Sequence, residues 1–596
     1  MGRIICETQH KLSLLRDEMR KANLEACIIP TTDAHIGEYT PDHWKTRQWI
    51  SGFTGSAGTV VVTLDKAGLW TDSRYFLQAD EQLKNTGIDL FKAGLPETPS
   101  FETWLQNELP SGATVGIEAA VYAASDAIRL TDNLKKHGIT VNSDFAPYDR
   151  IWTDRPAIPT NKAFVLPEKY TGESASSKIA RLVQELKKAD SDATILVSLD
   201  MIAWLFNLRG NDISYNPVAV AFAYISEHET RLFIHPDKLT PEVSDYLHRE
   251  GVVLDCYDAI DDFLRKSDKQ RILITPDKIN YHLYQLASKN CQIVEVAVHP
   301  VDTMKALKNE TEIAGFRQAM LRDGVALVKF LYWLHKQLAN NQRVTELSAS
   351  QRLKQFRSEQ ALFISESFET ISGYNEHGAI VHYAVTPESD VEIKPKGVLL
   401  LDSGGQYLDG TTDITRTIAV GEVSDEMRRD YTMLLKGNIA LSQAIFPKGT
   451  IGMQLDILAR QFIWADGINY LHGTGHGVGH CLNVHEGPHS IRMNYNPVQM
   501  QVGMTCSNEP GVYKAGRYGL RIENILLTQP CKTTEFGEFL CFDVLTLCPL
   551  ENKLIDDSLL TAAEKAWVEA YHLRVREALS PCLAGEEKEY LKQLTR

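Results

Sequence analysis

Two strand–turn–strand segments restrict the folds open to this chain more than any other feature. GVLLLDSGGQYLDGTTDITRTIAV, Gly397 to Val420, joins an apolar run to a Thr/Ile-rich run through a glycine-bearing loop around Tyr407 to Gly410, the pattern of an antiparallel hairpin. Each run carries an aspartate, and the spacing is expected to set Asp402 and Asp413 opposite one another. MTCSNEPGVYKAGRYGLRIENILL, Met504 to Leu527, repeats the construction, with Glu509 and Glu523 placed symmetrically about Gly516. Strand interiors are poor in acidic residues, and facing carboxylates in a buried pair repel. One such pair reads as solvated acids on an exposed face. Two pairs with a histidine-rich segment between them call for cations.

That segment is LHGTGHGVGHCLNVHEGPH, with His472, His476, His480, His485 and His489 set among glycines. His485 to His489 spells H-E-x-x-H, which in zinc proteases requires a continuous helical turn. Here Gly487 and Pro488 lie inside the motif, and in a helix interior they cost about 1 and about 3 kcal/mol. The glycines around His472 and His476 speak equally against a helix. The segment is therefore expected to be extended, bringing backbone and imidazoles close to a ligand. Two Asp, two Glu and one neutral His carry a charge that two divalent cations would cancel. Oxygen-rich donors with one imidazole favour Mn²⁺, with Zn²⁺ or Co²⁺ next by availability. A water bridging such a pair would act as hydroxide, which is hydrolytic chemistry.

The 596 residues are too many for one core. HKLSLLRDEMRKANL followed by EACIIP reads as helix then strand, and SSKIARLVQELKKA with ATILVSL, RLFIHP and RILITP reads as a second α/β block. The pair WISGFTGS at Trp49 and WLFNLRGN at Trp204 suggests an internal repeat. RPAIPTNKAFVLP is expected to be a linker. NETEIAGFRQAMLRDGVALVKFLYWLHKQL then reads as one long amphipathic helix. These signals divide the chain into domains at 1–155, 156–310 and 311–596, an α/β (α+β) arrangement. A net charge of -15 disfavours nucleic acid and anionic membrane as partners. Scattered cysteines without a C-x-x-C pair, and no secretory leader in MGRIICETQHK, lead us to expect a cytoplasmic protein.

Asp402, an Asp eleven residues on, His476 in HGTGHGVG, Glu509 in NEPG and Glu523 in RIEN resemble the five-ligand signature of the pita-bread metallopeptidases. SGFTGSAGT, WTDSRYFLQA, IAWLFNLRGNDISYNPV, DGTTDITRT, NVHEGP and GLRIENILL narrow the resemblance to the cytosolic, three-domain aminopeptidases P. The resemblance implies two related N-terminal α/β domains, which restrict the substrate cleft to peptides and help form a homodimer, before a pita-bread catalytic domain with a curved, mainly antiparallel sheet. It implies that Asp402 binds one metal and Asp413 both, that His476 and Glu509 hold the second, and that Glu523 bridges the pair. Glu509 would be the general base. His382, in AIVHYAV, with His472 and His485, would contact substrate and stabilise the tetrahedral intermediate. Arg521, on the strand face of Glu523, would support the ligands, and Arg74, in DSRYF, would touch substrate. His480 and His489 are read as structural. The implied reaction removes the N-terminal residue from peptides with proline in second place. A prolidase limited to Xaa-Pro dipeptides and a binding protein on an inactive pita-bread scaffold are the alternatives.

Overall fold

The computed structural model describes residues 2–596, with side chains from Cys6 onward. The chain forms two compact units, one running to Leu166 and resuming over Glu173–Val301, the other made of Pro167–Gly172 and Asp302–Arg596.

The first unit contains two six-stranded sheets of identical topology. In one the spatial order is Asp89–Lys92, Ala67–Thr71, Thr59–Thr63, Ala26–Ile29, Thr114–Gly116, Thr140–Asn142. In the other it is Val252–Asp255, Thr230–Ile234, Ala221–Ser226, Ala193–Leu196, Arg271–Ile274, Gln292–Glu295. In each, the first strand in sequence pairs antiparallel with its neighbour on one side and parallel on the other. Such mixed pairing follows from one hairpin and several helical crossovers. Trp49 lies on the helix Thr46–Ser51 and Trp204 on Leu199–Leu205, each after the first strand of its sheet. The faint sequence repeat is thus a repeat of architecture.

The halves of this unit meet at His35. Its Nδ1 lies 2.9 Å from Val197 O, its Nε2 3.0 Å from the Tyr257 hydroxyl, and its ring packs on Phe222. Asn280 adds a hydrogen bond to Ala34 O.

The second unit contains the expected helix, Glu310–Ala339, started by a capping box between Asn309 and Glu312. Its sheets are antiparallel throughout their strand ladders. The largest runs Ile445–Pro447, Gly537–Val544, Asn524–Thr534, Thr505–Asn508, Gly475–Gly477, Glu486–Ile491. Ile371–Tyr374, Val398–Ser403 and Ile414–Ala419 form a second sheet, and Gly511–Lys514 pairs with Tyr518–Arg521. The helices Asp425–Ser442 and Gly452–Ala465 supply Leu435, Ile439, Leu455 and Ile463 to a core shared with Leu526, Leu540 and Tyr518.

Both hairpins exist, but one register differs from expectation. Gln406 pairs with Thr411 and Tyr407 with Gly410, so the turn is Leu408–Asp409 and Asp402 faces Thr415. Asp413 precedes Thr415 by two residues and is therefore a diagonal neighbour of Asp402, not its direct partner. The shift has a local cause: the two-residue turn, not the middle of the glycine-rich loop, fixes the register. The second hairpin keeps the symmetry about Gly516, since Asn508 pairs with Asn524 and Gly511 with Arg521. Glu509 and Glu523 fall between those two ladders.

Candidate metal centre

No helix forms between Leu471 and His489. The segment contains the strands Gly475–Gly477 and Glu486–Ile491, and Gly487–Pro488 is a cis peptide bond. The H-E-x-x-H match is accordingly not a zinc helix. Gly475 and Gly477 leave no room for a Cβ against Ser507 O and Glu486 O, which is why glycine flanks His476.

His476 Nδ1 lies 2.9 Å from Gly477 O and donates to it. Its Nε2 then faces two carboxylates, 3.4 Å from Asp413 Oδ2 and 3.3 Å from Glu509 Oε1. Donor atoms of Asp413, His476 and Glu523 all lie within 4.8 Å of one another. Thr415 Oγ donates to Glu523 Oε2 at 2.9 Å, and Ser507 Oγ to Glu509 Oε1 at 3.1 Å. The remaining oxygens Asp402 Oδ1 and Glu523 Oε1 are buried with no hydrogen-bond partner.

Burial drives the Asp413 carboxyl well above the usual carboxylate range, and the charges of Asp402 and Glu509 add to it. Glu523 is raised in the same way by burial, then by Asp413 and Glu509. Glu509 is also raised by burial, with Arg521 acting against the shift. Four carboxylates this close cannot all ionise without positive charge between them. Buried orphan oxygens and an imidazole whose outer nitrogen is fixed on a carbonyl are the donor set that suits divalent cations.

Arg521, 1% exposed, organises one side of the cluster. Its Nη2 donates to Asp402 Oδ2 at 2.6 Å and to Val381 O at 3.3 Å, its Nε to Thr415 Oγ at 3.1 Å, and its Nη1 to the Tyr513 hydroxyl at 2.7 Å. Tyr513 in turn donates to His472 Nε2 at 2.9 Å, while His472 Nδ1 lies 2.8 Å from Gly473 O. A hydrogen-bond chain Asp402–Arg521–Tyr513–His472 results. His485 stacks edge-on against His476 with ring centroids 4.4 Å apart. His382 is half-buried in the turn after the 3₁₀ helix Asn375–Ala379, directly after the Val381 carbonyl that Arg521 holds. His480 is buried against Phe316, and His489 donates to Thr505 O at 2.7 Å, its pKa pushed down to about 4 by burial. Arg74 belongs to the first unit, where Asp72 holds it through two hydrogen bonds of 2.8 Å.

Sequence reasoning passed over Tyr513, Thr415, Arg416 and Asn438. Arg416 carried a signal, a lone cation in the Thr/Ile-rich strand. It is buried and donates to the carbonyls of Glu523, Thr415, Pro549 and Cys548. Asn438 donates to Asn508 O and Ile522 O, the residues preceding Glu509 and Glu523. Nothing local marks an asparagine in a helix as a spacer between two glutamates.

Residues 11–144 and 154–312 each match a Creatinase/Prolidase N-terminal domain family, residues 314–530 match Metallopeptidase family M24, and residues 538–596 match the C-terminal region of peptidase M24. The antiparallel second unit thus carries the domain of an M24 metallopeptidase. A protein of Coprinopsis cinerea named "Probable Xaa-Pro aminopeptidase P" is 42% identical over 618 residues, covering 100% of this chain and 99% of that one. One of the same name from Paracoccidioides brasiliensis is 42% identical, with 99% of each chain covered. The solved X-prolyl aminopeptidase of Caenorhabditis elegans, described as a cytosolic enzyme with a di-nuclear active site, superimposes with a TM-score of 0.94 at 34% identity over 99% of both chains. The chain belongs to the Xaa-Pro aminopeptidase P family.

Proposed function

We propose that this chain is a metal-dependent aminopeptidase that removes the N-terminal residue from peptides with proline at the second position. The observation that carries the reading is the cluster itself. His476 Nε2 stands 3.3 Å and 3.4 Å from two carboxylates, with Asp402 Oδ1 and Glu523 Oε1 buried and unpartnered beside them, in a chain 42% identical end to end to a named relative. Asp402, Asp413, His476, Glu509 and Glu523 would hold two divalent cations, with Mn²⁺ favoured by the oxygen-rich donors. Bound there, such ions supply Lewis-acid polarisation of a carbonyl and a water whose pKa is drawn towards neutrality.

The chain's own residues supply the rest. Glu509 accepts the proton of the attacking water and returns it to the departing prolyl nitrogen. His382, His472 and His485 contact substrate and the charge that grows on its carbonyl oxygen. For His472 that role requires its hydrogen bond with Tyr513 to open. Arg521 fixes the rotamer of Asp402, and Arg74 is assigned a substrate contact, its guanidinium oriented by its two hydrogen bonds to Asp72. We assign the three-domain division at 155 and 310, with the long helix opening the catalytic domain. A homodimer is supported by Met453, Ile457 and Trp464, 44%, 43% and 41% exposed on one face of Gly452–Ala465. A cytoplasmic location fits ten cysteines of which none is in a disulfide.

The test is hydrolysis of matched Arg-Pro-Pro and Arg-Ala-Pro peptides and the dipeptide Arg-Pro, with Mn²⁺ and with chelator. Chelator-sensitive release of Arg from Arg-Pro-Pro is the expected result. Equal cleavage of Arg-Ala-Pro would sink the proline specificity, cleavage of Arg-Pro alone would make the protein a dipeptidase, and no cleavage by metal-loaded protein would leave a binding scaffold.

A further inference from the structure

The turn that carries His382 is fastened to a single buried carboxylate. Glu346 is fully buried and begins the helix Glu346–Ser358 after the N-cap Thr345. Helix N-termini stabilise negative charge, but a buried carboxylate also needs specific donors. Three reach it, all from the segment around His382. Tyr374 N donates at 2.6 Å, His377 Nδ1 lies 2.9 Å and 3.0 Å from its two oxygens, and the Tyr383 hydroxyl donates at 3.0 Å. The hydrogen bond that His377 donates to Glu346 raises the His377 pKa, and a charged donor makes the stronger bond. Asp390 closes the segment by accepting from Leu347 N at 2.9 Å, and Ser389 Oγ lies 2.9 Å from the Tyr383 hydroxyl.

A second anchor holds the same turn. Val381 O accepts from Arg521 Nη2 at 3.3 Å, and Gly519 packs so closely on Gly378 that a Cβ on Gly519 would overlap the Gly378 carbonyl. His382 therefore sits between two neighbours pinned to different partners, Val381 to the arginine that holds Asp402 and Tyr383 to Glu346. Neither bond involves the His382 side chain, so both act on its backbone.

We propose that Glu346, through Tyr383 and His377, is a positioning residue that sets His382 for the reaction. This rests on the reading that His382 meets substrate. Such a residue changes the rate of the chemical step more than it changes substrate binding, because a displaced donor misses charge that appears only in the transition state.

The experiment combines kinetics on Arg-Pro-Pro with amide hydrogen exchange of residues 374–390 in the protein before metal is added. Glu346→Gln is expected to lower kcat about 10- to 100-fold, the scale of a small misplacement, with KM within about twofold. Exchange over 374–390 should quicken while the strands Thr505–Asn508 and Asn524–Thr534 stay protected. In a His382→Ala background the same replacement should change kcat by less than about twofold, since residues that act through one another are not additive. Tyr383→Phe, which removes one hydroxyl and leaves the fold, should lower kcat about 3- to 10-fold and vanish in the same background. Unchanged kcat and exchange in both variants would overturn the proposal. So would an equal fold-loss with and without His382. If the unmodified protein cleaves no peptide, the functional reading fails separately, and the exchange measurement alone then upholds or overturns the clamp.

Discussion

Replacing Asn438 by leucine tests whether the spacing of the two glutamates is set from outside the cluster. Asn438 Nδ2 donates to Asn508 O at 2.9 Å and to Ile522 O at 3.1 Å. One amide thus ties the backbone just ahead of Glu509 to that just ahead of Glu523. Leucine keeps the volume and the helix but removes both donors. A buried carbonyl stripped of its donor costs about 1–3 kcal/mol, so the two cost about 2–6 kcal/mol together. Asn438 Oδ1 is itself buried without a partner, and its removal returns about 1 kcal/mol, leaving about 1–5 kcal/mol. Part of that appears as lost cation affinity, because groups that support metal ligands typically contribute 10- to 100-fold, or about 1.4–2.8 kcal/mol. The assay is Mn²⁺ titration of metal-free protein against a chromophoric chelator, with urea unfolding of the same samples. The variant should bind Mn²⁺ about 10- to 100-fold more weakly and unfold at lower urea. A variant that loses urea stability yet binds Mn²⁺ as tightly as the parent would refute the reasoning. Asn438 would then hold the fold without setting the ligands.

Three further outcomes are expected. Glu509→Gln, assayed at saturating Mn²⁺, should lower kcat on Arg-Pro-Pro by about 10²- to 10⁴-fold, the usual contribution of a general base; a loss under tenfold would remove Glu509 from that role. The proposed homodimer predicts that Ile457→Asp sediments as a 66.9 kDa monomer where the parent sediments as a dimer; a variant that stays dimeric would place the interface elsewhere, and a monomeric parent would remove the homodimer. His299 is buried, with Nδ1 accepting from Val301 N and Nε2 on Thr194 Oγ, and burial pushes its pKa down to about 3. Its neutral form therefore stabilises the first unit fully above pH 6.5, and that stability is lost as pH falls towards 3, by up to about 1.4 kcal/mol per pH unit. His299→Asn keeps the acceptor for Val301 N, so urea midpoints between pH 6.5 and 4.5 should fall less steeply in the variant; equal slopes would contradict the assignment.

Much of the fold was legible because its signals are local. The 3.6-residue stripe of the long helix and the turn glycines act over a few residues, and the structure contains the corresponding helix and hairpins. The repeat of the first unit was only faintly visible through Trp49 and Trp204. Sheet order depends on crossovers that different sequences make equally well, so little identity need survive. The register at Asp402 was misjudged for a physical reason as well. GGQYLDGTT offers several turn sites, and the choice of Leu408–Asp409 is made by pairing within the loop, Tyr407 with Gly410, which composition does not reveal.

The site divides along the same line. Residues whose chemistry is costly where they stand announce themselves: carboxylates in apolar strands, histidines among glycines. Asp413, His476 and Glu523 come together as those signals required. The groups that set their geometry are inexpensive anywhere. A tyrosine in a strand, an asparagine in a helix and a glutamate at a helix start satisfy ordinary local rules. Tyr513, Asn438 and Glu346 therefore carry no excess signal in one sequence, although Tyr513 lies 41 residues and Asn438 70 residues from partners they hold. What distinguishes them is that their side-chain hydrogen bonds run to neighbours of the cluster. Their removal should accordingly leave secondary structure in place and disturb the placement of charge, which kinetics and cation affinity register alongside any loss of stability.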